Sequence, residues 1–284
     1  MSRTVKVVPS DCAAPPEPRP PVIFSVDHLA KTIGQRESAL PIIADIDFSL
    51  REGEFVSMVG PSGCGKTTLL MCLAGLAPLS GGAIDYRGAP LAGPSPGISV
   101  VFQDYSRSLL PWKTTLGNVL FGMRRNKTLT SPAKIERASE LLASVGLAGF
   151  EQRYPWQLSG GMQQRVAIAR GLASQSRLLL LDEPLASVDA QTRSDMQDFL
   201  LGIARRYQQT CVLVTHDVEE AIYMGDRIVV LSSRPTRVVR EIAVPLARPR
   251  DQIETREQAA FLEIRHQVLS LIRRERNAGI GTPS

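Results

Sequence analysis

The stretch Gly60-Pro61-Ser62-Gly63-Cys64-Gly65-Lys66-Thr67 reads as a loop built to hold phosphate groups. It fits G-x-x-x-x-G-K-[ST] and runs directly out of a short apolar strand, Glu54 to Val59, into a predicted helix from Lys66 to about Gly75. Glycines let consecutive backbone N–H groups turn inward around phosphate oxygens, and the N-terminus of the following helix adds positive potential. Lys66 supplies a point charge for β- and γ-phosphates, and the Thr67 hydroxyl can ligate Mg²⁺. A glycine-rich turn that matches by chance would not be expected between a strand and a helix. The candidate phosphate contacts are therefore Gly60, Pro61, Ser62, Gly63, Cys64, Gly65, Lys66, Thr67 and Thr68.

Outward from this loop, strand and helix patterns alternate. Val22–Val26 and Ile46–Leu50 read as strands, the second with Ile46, Phe48 and Leu50 in alternation. Ile98–Phe102, Val212–Val214 and Ile228–Leu231 read as further strands. Leu178–Leu181, four leucines in a row, has the form of a strand buried on both faces. Ser131-Pro132 opens a helix, with Ser131 as cap and proline in the first turn, and Ile135, Ala138, Leu141, Leu142 and Val145 continue it. Met196, Phe199, Leu200, Ile203 and Tyr207 mark another helix. This alternation implies an α/β fold with a parallel sheet covered on both sides.

The leucine strand ends in Asp182-Glu183. A carboxylate there faces the crevice where α/β sheets bind ligands. Asp182 is placed to hold Mg²⁺, directly or through water, and Glu183 to orient or deprotonate an attacking water. A salt-bridged pair at a strand end is the alternative, and the phosphate loop in the same chain weighs against it.

Leu158-Ser159-Gly160-Gly161-Met162-Gln163-Gln164-Arg165 adds a second anion-binding terminus, a Ser-Gly-Gly turn feeding a helix from Met162 to Leu172. One nucleotide cannot easily use two such termini from one monomer. A two-fold dimer, in which each chain completes its partner's site, is the simple solution.

The same octet resembles the signature motif of ABC ATPases, and the rest of that family's set follows in order. Gln103 matches the Q-loop glutamine, Ala186-Ser187-Val188-Asp189 resembles the D-loop, and His216 in Val214-Thr215-His216-Asp217 matches the switch histidine. The resemblance spans about Val22 to Arg250. It implies a P-loop NTPase (RecA-like) core, a small antiparallel β subdomain and a helical subdomain at about 104–170. It implies ATP and Mg²⁺ as cofactors and Glu183, His216 and Gln103 as catalytic residues. Thr67, Gln103 and Asp182 would hold the metal, and Ser159, Gly160, Gly161 and Asp189 would join the phosphate loop in binding nucleotide.

Finer features narrow the resemblance. Val101-Phe102-Gln103-Asp104, Leu110-Pro111-Trp112, Asn118-Val119, Val145-Gly146-Leu147, Tyr154-Pro155, Asp226–Ser232 and Arg248-Pro249-Arg250 are similar to the nitrate/sulfonate/taurine-type importer ATPases. That implies a second copy of the chain, transmembrane permease subunits and, indirectly, a periplasmic solute-binding protein as partners, at the cytoplasmic face of the inner membrane. A short permease helix would dock near Gln103, with Leu109, Leu110, Pro111 and Trp112 as candidate anchors; for Trp112, a place in the subdomain core is the equal alternative. Leu185 stands where the family usually has Phe. Ile33 stands where an aromatic usually stacks on adenine.

Composition fits this reading. The chain has 284 residues, 43% of them hydrophobic, enough for one sizeable core with an appended subdomain. No apolar run approaches the roughly 18–20 residues that span a bilayer, and Met1 to Pro21 lacks the form of a secretory signal. Residues 9–21 carry six prolines and few apolar side chains, the composition of a disordered arm (1–21) ahead of the cassette (22–250). Phe261, Ile264, Val268 and Leu271 share one stripe of an amphipathic helix in the tail (251–284). Docking on the chain's own core is its simpler reading, and a membrane surface or a partner its sharper one.

The formal charge of +5 is scattered and singles out neither nucleic acid nor a lipid surface. A soluble ABC ATPase acting on nucleic acid or ribosomes is the competing function, but this chain has one signature motif and no long coiled-coil insertion. No nucleic-acid partner is expected. Cys12, Cys64, Cys72 and Cys211 form no C-x-x-C pair or metal cluster and read as reduced thiols. Cys64, beside Lys66 and a helix N-terminus, is expected to be reactive. His28 and His266 read as ordinary polar positions.

Overall fold

Ten strands form one curled sheet in the computed structural model, which describes residues 20–34, 39–104, 108–186 and 188–280. In chain order they are β1 (Val22–Ile33), β2 (Leu40–Arg51), β3 (Phe55–Val59), β4 (Gly81–Tyr86), β5 (Ala89–Pro90), β6 (Ile98–Val101), β7 (Leu178–Asp182), β8 (Thr210–Val214), β9 (Arg227–Leu231) and β10 (Thr236–Ala243). Their order across the sheet is β5-β4-β1-β2-β10-β9-β3-β8-β7-β6. Strands β9, β3, β8, β7 and β6 pair in parallel, while β1, β2, β4 and β5 form an antiparallel arm. β10 joins the halves, lying antiparallel to β9 and meeting β2 in parallel at Thr236 and Arg237.

The parallel strands are apolar on both faces because both faces are covered. Along β7, Leu178 and Leu180 pack with α1 (Lys66–Leu73) and the antiparallel arm, and Leu179 and Leu181 pack with helices on the other side. Those helices are α2 (Thr115–Gly122), α3 (Ser131–Ser144), α4 (Gly160–Ala173), α5 (Ala190–Arg206), α6 (Val218–Met224) and the short α7 (Glu254–Glu257), followed by the tail helix α8 (Ala259–Ile280). α2, α3 and α4 all lie between β6 and β7 in the chain and bury Val119, Leu141, Leu142, Val166 and Ile168 in a shared core. One face of the sheet is thus covered by a sheet arm as well as a helix, where the strand–helix alternation alone implies helices.

The tail helix docks on the chain's own core, as its simpler reading has it. Phe261, Ile264 and Val268 are buried, and Leu271 and Ile272 pack partly against the same cluster. Burying three such side chains contributes on the order of 5 kcal/mol, since each is worth roughly 1.5–3. Glu219 on α6 also accepts Arg256 at 3.1 Å and Arg265 at 2.8 Å. Both pairs are substantially exposed, so they add at most about 1 kcal/mol each and the apolar stripe decides the docking.

Local details differ from expectation for physical reasons. β1 continues well past Val26 through a register shift at His28, whose φ is 48°, because pairing with β2 on one side and β4 on the other keeps it extended. The cap of α3 is Thr130, not Ser131: Thr130 is extended and its hydroxyl accepts from Ala133 N at 3.5 Å, while Ser131 is already helical. Tyr207 is the residue after α5 rather than part of it. The proline-rich arm up to residue 19, with Cys12, and Ser187 of the Asp189 loop lie outside the described residues.

Candidate functional site

The loop after β3 closes tightly on the N-terminus of α1. Gly65 is the residue ahead of that helix, with φ 116°, and a Cβ there would lie 2.8 Å from Ile42 Cγ2, so both backbone angle and space require glycine. Lys66 is buried and its Nζ donates to Gly60 O and Pro61 O, each at 3.0 Å, which holds the ammonium inside the loop. The loop is also gripped from outside. The Thr236 hydroxyl donates to Cys64 O, and Arg234 Nη2 donates to Gly63 O at 2.5 Å.

The ends of β7 and β8 bring the acid and imidazole groups to this loop. Asp182 pairs with Val214 across the two strands, so Glu183 and His216 both emerge just beyond the sheet edge. His216 Nδ1 lies 2.9 Å from Glu183 Oε2, and Gln103 Nε2 donates to the same oxygen at 3.4 Å. Glu183 has φ 45°, unusual for a non-glycine residue, and its backbone N–H donates to Val214 O at 2.8 Å.

Asp182 is buried, and burial pushes its carboxyl pKa up, against the pull of its Thr67 hydrogen bond and of Lys66. Its Oδ1 has no hydrogen-bond partner among the described residues. An unpaired buried carboxylate oxygen beside a threonine hydroxyl is a set of hard oxygen donors that fits Mg²⁺.

A cavity of about 520 Å³ joins these groups, lined by Ser62, Gly63, Gly65, Lys66, Thr67, Thr68, Gln103, Glu183, His216 and Arg234. Of the other residues singled out in the sequence, Gly60, Pro61, Cys64 and Asp182 are buried and do not line the cavity. Ser159, Gly160, Gly161 and Asp189 do not line this cavity. Ser159 caps α4, accepting from Met162 N at 3.3 Å; Gly160 is exposed and Gly161 half-buried. Asp189 caps α5 through Thr192 N at 3.0 Å, and that bond holds its carboxyl below the usual range.

Comparison with known proteins agrees with this geometry. The family model described as "ABC transporter" matches residues 43–186. The chain belongs to the ABC transporter family. Over 260 residues the cassette is 40% identical to the taurine import ATP-binding protein TauB of Escherichia coli strain K12, covering 90% of this chain and 99% of that protein. It is 40% identical over 286 residues to the aliphatic sulfonates import ATP-binding protein SsuB 2 of Burkholderia cenocepacia, covering 100% and 97%. Among solved structures it resembles the dimeric post-hydrolysis state of the ATP-binding cassette MJ0796 bound to ADP and Pi, with TM-score 0.70, 31% identity and coverage of 78% of this chain and 99% of that one. The cassette is an ABC ATPase with the P-loop NTPase fold.

The expectation of a reactive Cys64 is not met, nor is that of Leu109 as a docking anchor. Cys64 is 3% exposed, and burial pushes its thiol pKa up, outweighing the nearby Lys66 and Arg234 charges that would lower it. It packs as a small apolar side chain, an environment that disfavours the reactive thiolate. Trp112 is 70% exposed and so is no core residue of the cassette, whereas Leu109 is 2% exposed and is one. Sequence reading also missed residues. Arg234 and Thr236 reach the loop from the opposite end of the chain. Buried Glu220 accepts from the Thr215 hydroxyl at 2.5 Å, directly behind His216. His28 sits among Asp27, Asp45 and Asp47, and its contact with Asp45 raises its pKa.

Proposed function

We infer that this cassette drives solute uptake by hydrolysing ATP in a sandwich of two copies. The observation that carries the reading is the division of groups within one chain. Phosphate loop, Glu183, Gln103 and His216 share one cavity, while the helix terminus at Ser159 stays outside it, with Ser159 and Gly160 exposed and Gly161 half-buried. A second copy would supply its own Ser159, Gly160 and Gly161 to the nucleotide, with Asp189 nearby.

In this reading Gly60 to Thr68 cradle the phosphates of ATP. Thr67, Gln103 and Asp182 hold Mg²⁺, which when bound neutralises phosphate charge. Glu183 orients the attacking water and takes its proton. His216 and Gln103 both hold Glu183 Oε2, which leaves the second oxygen to take the water's proton. General-base assistance of this kind is typically worth about 10²–10⁴-fold.

The coupling partner is a separate permease. No helix of the described residues is long and apolar enough to cross a membrane. The 104–170 segment acts as the helical subdomain that meets the permease, and exposed Trp112 with Pro111 and Leu110 anchors a short permease helix near Gln103. The solute belongs to the nitrate, sulfonate or taurine class, after the relatives' transport. A periplasmic binding protein delivers it, and the cassette works at the cytoplasmic face of the inner membrane.

Glu183→Gln tests the core of this reading. The amide keeps shape but cannot accept the water's proton, so ATP binding persists, turnover nearly stops and ATP holds two chains together. Size measurement with and without ATP reads this out. A variant that stays monomeric in ATP, or hydrolyses it normally, contradicts the assignment.

A further inference from the structure

We propose that Arg234, held in place by the tail helix, is a nucleotide-binding residue that grips the phosphate chain of ATP from the β9 side of the loop, across β3 from the strands that carry Glu183 and His216. It belongs to none of the motifs that the sequence presents, yet it lines the same cavity as Lys66, Thr67 and Thr68.

The β9–β10 connection and the first residue of β10 are strapped to the phosphate loop at two successive carbonyls, Arg234 to Gly63 O and Thr236 to Cys64 O. It is closed on itself as well: Arg237 N donates to Ser232 Oγ at 2.9 Å, and Ser232 Oγ donates to Ser233 O at 2.7 Å. The Arg234 stem therefore starts from a fixed point beside the cavity. Its guanidinium is exposed, and among the described residues no carboxylate pairs with it. A planar fork with donors left over after one bond to Gly63 suits phosphate oxygens, which it can engage through two parallel N–H groups. Ile33, at the end of β1, is half-exposed and offers no ring to a base. A cation on the phosphates is the contact through which such a site gains affinity without reading the base.

What fixes the connection from behind is α8. The Ser233 hydroxyl donates to Glu275 O at 2.8 Å, and Ser233 N donates to Glu275 Oε2 at 3.4 Å. The residue before Arg234 is thus pinned to the last turns of the tail helix. Ser233 and Glu275 are positioning residues: they touch no nucleotide and act through where they hold Arg234.

The proposal rests on this chain's binding ATP, and the experiment separates the two. Full-length wild type, Arg234→Ala, Arg234→Lys, Arg234→Glu and Ser233→Ala are titrated with a fluorescent ATP analogue, with ATP and GTP as competitors. Arg234→Ala is expected to weaken both nucleotides alike by roughly tenfold, equivalent to ~1.4 kcal/mol. Lysine recovers part of the loss, glutamate deepens it, and the wild-type advantage shrinks as salt rises, because an exposed cation is screened. KM for ATP rises while kcat holds. Ser233→Ala weakens binding less, and adds nothing once Arg234 is already alanine. Wild-type affinity in Arg234→Ala overturns the proposal. So does a loss that lysine does not relieve and that merely follows a fall in melting temperature. A wild type that binds no nucleotide would instead overturn the reading beneath it.

Discussion

His216 Nδ1 and Glu183 Oε2 lie 2.9 Å apart, each just beyond the end of one of two neighbouring parallel strands. The spacing follows from the sheet: Asp182 pairs with Val214, and the Glu183 backbone N–H adds one more bond to Val214 O. The backbone under both side chains is thus fixed by a ladder that is buried on both faces.

That relationship predicts the effect of His216→Ala. The Glu183 carboxylate keeps its backbone position but loses its nearer holding contact, leaving Gln103 at 3.4 Å. ATP should bind as in wild type, because the loop backbone and Lys66, which hold the phosphates in this reading, are unchanged. Turnover should fall by roughly 10²-fold, the lower end of what a positioned general base contributes. Steady-state ATPase assays beside nucleotide titration check this. An unchanged kcat would show that Glu183 is oriented without the imidazole.

Cys64 should ignore thiol reagents in the native cassette. Its sulfur is buried and its thiolate is disfavoured by desolvation. Mass spectrometry of the peptide spanning Cys64 after reagent treatment should show no adduct until denaturant is added. Rapid native labelling that Mg-ATP suppresses would mean that the loop opens in solution.

Glu220 should make stability fall as pH rises. It is buried, Thr215 is its hydrogen-bond donor, and its pKa is pushed up to about 7, chiefly by desolvation, with Asp217 adding and Arg193 opposing. The folded chain then keeps a proton that the unfolded chain has released. Between the ordinary carboxyl range and pH 7 the unfolded state binds fewer protons, so unfolding free energy declines, levelling off above the folded pKa. The effect is a few kcal/mol at most, at about 1.4 per pKa unit. Glu220→Gln should flatten this part of the profile and gain on wild type at pH 8. Denaturant titrations at several pH values test the difference, and parallel profiles for the two proteins would contradict it.

ATP and GTP should bind the isolated cassette with similar affinity. Ile33 can bury apolar area against a base but has no π-face, and stacking is worth about 1–3 kcal/mol in nucleic-acid complexes. Ile33→Tyr should tighten ATP. Dissociation constants for both nucleotides in both proteins decide it. A strong ATP preference in wild type, unchanged by tyrosine, would place the base elsewhere.

Gly60–Thr67 and Leu178–Glu183 were legible because each is contiguous and each carries its context with it. The first is a glycine loop between strand and helix, the second an apolar run ending in two acids. A buried parallel strand cannot hide its composition. The tail helix was legible for the same reason, through one apolar stripe. What the sequence concealed depends on partners far along the chain. Arg234 meets Gly63 across 171 positions, and nothing in Ser232-Ser233-Arg234-Pro235 points there. Cys64 misled because its neighbours are visible in sequence while its burial is not, and desolvation won over the charges. Ser131 and Thr130 are both good caps, and only backbone angles choose between them.

Glu183 occupies a left-handed backbone conformation that costs most L-residues about 1–2 kcal/mol. Glycine and, to a lesser degree, asparagine reach it at little or no steric cost, and neither has a carboxylate. A population of variants selected only for heat resistance should therefore drift toward these residues at position 183, becoming sturdier and inert together. Thermal screening of this cassette would need an activity gate, because position 183 is one where backbone conformation and the proposed chemistry ask for different amino acids.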